Sequence, residues 1–429
     1  MARPYSVLAI TVLVQLSLTM GNHAIPIIIP YIQRDLGLTL TEVGLTSAAA
    51  QVGYALSIFL SGWVTDRAGP RFMMAAGQVL LAVALGLMGF SLPWLLVVFL
   101  IGVGGVGAAL GNPGTTLAVV RAFSLRRRAT AVGIKQTGVT IAGIGAAFGL
   151  PAISEAAGWH TAVAVLSVGV LVAAVVTYTG LPEPPADRGP KRGIAPLGTR
   201  ELARNRSLWL VATFASIMVA GQYCILSYLM LYLHDGFGIP IIYAGWFLAL
   251  VQFGGLIGRV GWGIVSDRLF RGGRREVLSA AAGLGAVCLL VIGLSPSGSS
   301  WVVLPLLFLL GLSVIGWHGV YQTLIPELVG PQSGGLAIGF VSTFSQIGPI
   351  AGPPLFGSIV DYFDSFRPAW IALAAATAVA AGLLTLLDEP RRSGRTTDDG
   401  GRPLATPGRH PPTTTEVARS ESTLLERSR

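Results

Sequence analysis

Two basic residues interrupt stretches that are otherwise apolar, and they define the chemistry to look for. Lys135 lies inside "ATAVGIKQTGVTIAG", Ala129 to Gly143, and Arg259 opens "RVGWGIVSD". The sequence holds 29 Lys+Arg but only two lysines, and the other, Lys191, lies in a plainly polar segment. A cation at the centre of a membrane helix costs about 2.5–3.5 kcal/mol even on the lenient insertion scale, so it usually faces a polar cavity. There it can neutralise an anion, and that is the expected role of both residues. A second reading stays open for each. Aliphatic stems let the charge snorkel to an interface, and a cation near a helix C-terminus is favoured by the helix dipole. His318 in "GWHGVYQT" and His23 in "GNHAIP" are the titratable groups best suited to such a cavity. Neutral imidazole is tolerated there and takes a proton near neutral pH, which admits a coupling proton. Hydrogen-bonded packing is the plainer alternative for either His. Gln51, Gln252, Gln136, Gln222 and Gln346, with Tyr54, Tyr228 and Tyr321, are neutral polar residues placed to line the same space.

The elements that hold these residues must be membrane helices. The 429 residues are 52% hydrophobic and only 11% charged, against about a quarter charged in soluble domains. Mean hydropathy is +0.69. Spanning takes about 20 apolar residues. Such runs occur at 6–32, 41–63, 72–90, 93–120, 129–153, 159–181, 207–233, 240–265, 275–295, 300–325, 335–360 and 367–387. The first follows a basic N-terminus like a signal peptide, but no small-residue cleavage site follows, so it is read as a span. Pro182 to Arg206 is a Pro/Gly- and Arg-rich connector, and the tail after Glu389 has the composition of a disordered segment. Cys224 and Cys288 both fall in apolar runs and offer neither a disulfide framework nor metal-ligand spacing.

The formal charge of +9 is distributed unevenly. With the N-terminus in the cytoplasm, Arg3, Arg67, Arg71, Arg121, Arg126, Arg127, Arg128, the connector, Arg268, Arg271, Arg274, Arg275 and the tail share that side. The other side receives Arg34 and Arg367. The positive-inside rule therefore places both termini in the cytoplasm of an inner-membrane protein. The charge is an orientation signal, and no nucleic-acid partner is expected.

The chain also repeats. "QVGYALSIFLSGWVTDR" from Gln51 and "QFGGLIGRVGWGIVSDR" from Gln252 share Gln, Gly, Gly, Asp and Arg at a constant offset of 201 residues. "GNPG" at Gly111 pairs with "GWHG" at Gly316, and "AVG" ending at Gly133 pairs with "AIG" ending at Gly339. One such match is chance; three in order mark a duplication. Parallel halves with the substrate site between them are a known transporter plan.

"GWVTDRAGPR", Gly62 to Arg71, resembles the cytoplasmic loop signature of the major facilitator superfamily, and "GIVSDRLFRGGRR" resembles its weaker second copy. The resemblance implies twelve transmembrane helices in two pseudo-symmetric six-helix bundles, an all-α membrane protein. The implied domains are 1–181 and 207–390, with a cytoplasmic connector at 182–206 and a tail at 391–429. It further implies gating roles for Asp66, Arg67 and Arg71, and by repetition for Asp267 and Arg268. A loop carboxylate of this kind stabilises a neighbouring helix N-terminus, and Gly69-Pro70 supplies the tight turn. In the superfamily's fold the fifth and eighth spans are neighbours, which would bring Lys135 and Arg259 to one depth. An Arg eight residues before the loop acid also resembles the anion-binding Arg of monocarboxylate porters and oxalate–formate exchangers.

No Asp or Glu falls in mid-span: Glu155, Glu276, Glu327 and Asp361 are at helix ends. Buried carboxylates are the usual proton carriers of transporters. The fourth run lacks an Arg, and the fifth fits the antiporter motif poorly, which disfavours a proton-driven drug exporter. The expected function is secondary transport of a small, carboxylate-like organic anion by alternating access. A drug or metabolite exporter and a transporter-like sensor are the alternatives. No nucleophile–base pair appears, and neither an enzyme nor a cofactor is expected. The expected partners are an anionic small molecule and the bilayer, and the expected state is a monomer.

Overall fold

A computed structural model describes residues 4–123, 125–181, 199–270, 273–295, 300–329 and 334–387. In chain order the helices are α1 (Pro4–Leu36), α2 (Leu40–Ala68), α3 (Pro70–Leu87), α4 (Trp94–Ala122), α5 (Leu125–Ala157), α6 (Trp159–Gly180), α7 (Thr199–Arg204), α8 (Arg206–Phe237), α9 (Ile241–Arg268), α10 (Arg274–Leu294), α11 (Ser300–Leu310), α12 (His318–Val329), α13 (Gly334–Ser345), α14 (Ile347–Phe363) and α15 (Phe366–Thr385). A π-helical turn, Gly311–Ile315, joins α11 to α12. Lipid offers the backbone no hydrogen bonds, so each span satisfies its own. Among the described residues, ten spans are long and apolar enough to cross a membrane by length and composition. The long α2 and the broken α13–α14 pair complete the expected set of twelve.

The helix boundaries follow from local chemistry. Thr39 accepts a hydrogen bond from the Glu42 amide while the Glu42 carboxylate accepts one from the Thr39 amide, a reciprocal cap that starts α2. Gly69, at φ 86°, separates α2 from α3, and Pro70 begins α3 with its φ already set. The expected connector is not irregular throughout. Its last part forms α7, whose Leu202 is buried, and the Asn205 side chain accepts from the amides of Ser207 and Leu208 to start α8. The connector at 182–198 and the tail beyond 387 lie outside the described residues.

The sequence repeat reappears as a repeat of close helix contacts. A Cβ on Gly53 would stand 1.9 Å from the Gly102 carbonyl oxygen, and its mate Gly254 would place one 2.2 Å from the Phe308 carbonyl. Gly105 against Ala50 and Gly311 against Val251 repeat the pattern, at 1.9 and 1.8 Å. So α2 lies on α4 as α9 lies on α11, with backbone against backbone. Small residues permit that approach, and membrane helices depend on it because lipid gives them no hydrophobic drive to associate.

The apolar core shows how the two halves meet. One large cluster contains residues of both, among them Ile27, Ile28, Ala147, Leu229, Leu248 and Phe356. Toward the end that carries the start of α1 and the finish of α15, the core divides. Leu208, Phe214, Leu278, Trp317, Leu324 and Leu384 belong to a cluster of the second half alone, and Leu8, Val119, Phe123 and Ala131 to one of the first. The halves are therefore joined at one end and separate toward the other.

Candidate binding cavity

Between the separated halves lies a cavity of about 280 Å³, at the small end of the range for ligand pockets. The first half contributes one face of α1 (Gln15, Thr19, Asn22, His23), Gln51 and Tyr54 from α2, Asn112 from α4 and Gln136 from α5. The second half contributes Gln222 and Tyr223 from α8 and Arg259 from α9. Trp317, His318, Tyr321 and Gln322 follow the π turn, and Ser342, Ser345 and Gln346 come from the α13–α14 break. Each helix break leaves polar side chains facing the space, as irregular helix geometry at functional positions tends to do.

Of the residues singled out from the sequence, Arg259, His318, His23, Gln136, Gln222, Gln346, Tyr321, Gln51 and Tyr54 are on this wall; Lys135, Tyr228 and Gln252 are not. Lys135 is buried, and its ammonium donates to Thr115 Oγ1 at 3.0 Å and Thr116 Oγ1 at 3.1 Å, both on α4. It occupies a nook between two helices of the first half. Gln252 packs its amide against Gly143 of α5, across the seam between halves. The Tyr228 hydroxyl stands 2.7 Å from the Leu40 carbonyl and 2.8 Å from the Pro353 carbonyl, at the joined end. The α5–α9 neighbourhood expected from the resemblance is present, since Gly245 of α9 rests on Ala147 and Pro151 of α5. Asn22, Asn112, Tyr223 and Gln15 were not singled out beforehand. The spacing Gln15, Thr19, Asn22 is one face of a helix and was the available signal.

Arg259 is the one charged residue on the wall among the described residues, and no carboxylate accompanies it. Its charge reaches both His23 from the first half and His318 from the second, which share the wall with it. His23 also meets the Tyr223 ring edge-on at 6.2 Å, and Trp317 leans on His318 at 4.3 Å. Neutral hydrogen bonds fix the rest of the wall. Gln51 Nε2 donates to Tyr223 Oη at 2.9 Å and to Asn22 Oδ1 at 3.3 Å, and Asn112 Nδ2 donates to Tyr54 Oη at 2.7 Å. Several buried atoms there have no protein partner: Arg259 Nε, His23 Nδ1, Gln15 Oε1 and Gln222 Oε1. Buried polar atoms are nearly always hydrogen-bonded, so such a group marks a place for a polar ligand or water. A guanidinium, two imidazoles and amide oxygens together complement an anionic group with hydrogen-bond donors beside it.

The residues of the loop signature are less informative. Asp66, Arg67 and Asp267 fall in helices, but their side chains lie outside the described ones. Arg71 stacks over Tyr178 of α6, 4.4 Å from the ring centroid, and Arg268 is exposed at the end of α9.

Twelve spans in two repeated halves around a central polar cavity define a class, the multi-pass membrane transporters. The family model of the Major Facilitator Superfamily matches residues 11–335 and 273–424, and the chain belongs to that superfamily. It is similar to an uncharacterized MFS-type transporter of Mycobacterium tuberculosis, 27% identical over 79% of this chain and 75% of the relative. It is also similar to the glycerol-3-phosphate transporter of Bacillus subtilis, 27% identical over 83% of this chain and 86% of that one. In fold it matches a bacterial homologue of the human lysosomal transporter Spinster, crystallised in an inward-facing and occupied conformation. That match has a TM-score of 0.75 and 15% identity over 90% of this chain and 97% of the other.

Proposed function

We propose that the protein is a secondary transporter that carries a small organic anion across the cell membrane by alternating access. The observation that carries this reading is Arg259, a lone cation with an unpartnered Nε on a wall that holds no carboxylate among the described residues. Such a wall attracts an anion and repels a cation, and a cavity of about 280 Å³ suits a metabolite. A relative of similar length carries glycerol 3-phosphate, itself an anion. The positive-inside rule turns the separated ends of the halves toward the cytoplasm, so this is the inward-open state with both termini inside. His23 and His318 share the wall with Arg259, and a coupling proton would join either imidazole only beside a bound anion, which offsets the guanidinium charge. Residues 1–181 and 207–390 are the two moving bundles.

A thermal-shift panel on the purified protein tests the reading. Glycerol 3-phosphate, glucuronate, lactate and sulfoacetate are the anions. Glucose and glycerol are the neutral controls, and tetraphenylphosphonium is the lipophilic cation. At least one anion is expected to raise Tm while the neutral controls do not. Stabilisation by the lipophilic cation with none by any anion would overturn the assignment and favour a drug exporter.

A further inference from the structure

The joined end of the halves is built from two repeated seams, and they are not equal. On one, Gly44 of α2 meets the Pro353 backbone of α14; on the other, Gly245 of α9 meets the Ala147 backbone of α5. Gly44 and Gly245 are repeat mates, as are Ala147 and Pro353, so the backbone contacts obey the twofold relation. The acids beside them do not. Asp361, near the end of α14, accepts hydrogen bonds from the backbone amides of Leu40 at 3.0 Å and Thr41 at 2.7 Å, and from the Thr41 hydroxyl. A carboxylate of the second half thus caps the first turn of α2 in the first half, where the free amides and the helix dipole both favour negative charge. Its repeat mate Glu155, near the end of α5, lies by Tyr31 of its own half instead, and the Tyr31 hydroxyl donates to the Pro151 carbonyl of α5 at 3.2 Å. The first turn of α9 starts at Pro240 with no side-chain cap.

We infer that Asp361 is a gating residue: its carboxylate latches the α2–α14 seam, and among the described residues the α5–α9 seam carries no such latch. Alternating access requires this end to open, and opening separates α14 from α2. The three contacts to Asp361 must then break together, whereas the α5–α9 seam parts through packing contacts such as Gly245 on Ala147, Phe148 on Trp246 and the Gln252 amide on Gly143. Asp361 is exposed, so water replaces its partners once the seam opens. A wet latch of this kind biases the equilibrium without locking it, which a cycling carrier needs. The inference concerns the cycle and holds whatever the substrate is.

Spin labels at both ends of the molecule test it. Ala157 with Tyr362 spans the joined end between halves, and Tyr5 with Arg206 spans the separated end. All four positions are exposed, while the native Cys224 and Cys288 are buried and escape labelling. In the unsubstituted protein the Ala157–Tyr362 pair is expected to give one short distance. Asp361→Asn and Asp361→Ala should add a longer distance there and shorten Tyr5–Arg206, shifting the ratio of the two states by about tenfold, the low end for charge-assisted bonds. Thr41→Val, which removes a single hydroxyl, should shift it in the same direction by less. Glu155→Gln should leave both distributions unchanged. Unchanged distances in Asp361→Asn and Thr41→Val would overturn the latch. A shift in Glu155→Gln as large as that in Asp361→Asn would overturn its one-sidedness.

Discussion

Replacing Arg259 by glutamine removes the one charge on the cavity wall among the described residues while keeping a donor of similar reach. A hydrogen bond to a charged group contributes about 1.5–3 kcal/mol, and each 1.4 kcal/mol is a factor of ten in Kd. Arg259→Gln should therefore weaken binding of the best-stabilising anion by roughly tenfold to a hundredfold. The substrate-free protein should not suffer. Arg259 is a half-buried cation with no carboxylate on its wall among the described residues, and removing such a charge relieves part of its desolvation cost. Its Tm should hold or rise while the anion-induced shift disappears. Arg259→Lys should recover only part of the affinity, because an ammonium cannot reproduce the two-pronged geometry of a guanidinium. Isothermal titration of the purified variants with that anion and with a neutral analogue gives both affinities. A Kd for the anion within twofold of the parent value would refute the role of Arg259.

Lys135→Met should leave anion affinity within threefold and hold or raise Tm, since two hydroxyls are poor compensation for a buried ammonium. Combined with Arg259→Gln it should act additively, whereas a more than tenfold loss in the single variant would put Lys135 on the substrate. Gly53→Ala should destabilise the protein by about 1–3 kcal/mol, because its Cβ would stand 1.9 Å from the Gly102 carbonyl. Gly169→Ala, where a Cβ meets nothing within 4 Å, should not, and equal Tm values for the two would contradict the packing. Removing residues 395–429 should leave transport unchanged at matched expression, and a transport defect would favour a regulated carrier or sensor.

The helices were legible in the sequence because a membrane forces each span to be both long and apolar, and the duplication was legible because Gln, Gly, Asp and Arg recur at one offset. One glycine pair of that repeat proved to be backbone contacts, Gly53 on Gly102 and Gly254 on Phe308, whereas Gly263 meets nothing within 4 Å. The wall was legible where residue type decides, as with Arg259, His23 and His318. It was not legible where helix phase decides. Lys135 precedes Gln136 by one position, yet one hundred degrees of helix turn puts Gln136 on the wall and Lys135 against Thr115 and Thr116. Tyr228 reads like any cavity tyrosine until its hydroxyl is seen against Leu40, 188 residues away. Asp361 was visible as an acid at a helix end, but its partners lie 320 and 321 residues off, beyond the reach of local pattern.

The most direct measurement is counterflow in proteoliposomes. Vesicles loaded with the anion that best stabilises the protein are diluted into a trace of the same anion, radiolabelled. An alternating-access carrier must accumulate label transiently above its equilibrium level, and Arg259→Gln vesicles must lose that overshoot. Label that never exceeds the level of protein-free vesicles, with binding intact, would contradict transport and leave a sensor. Counterflow of a neutral or cationic solute but of no anion would contradict the assignment to organic anions.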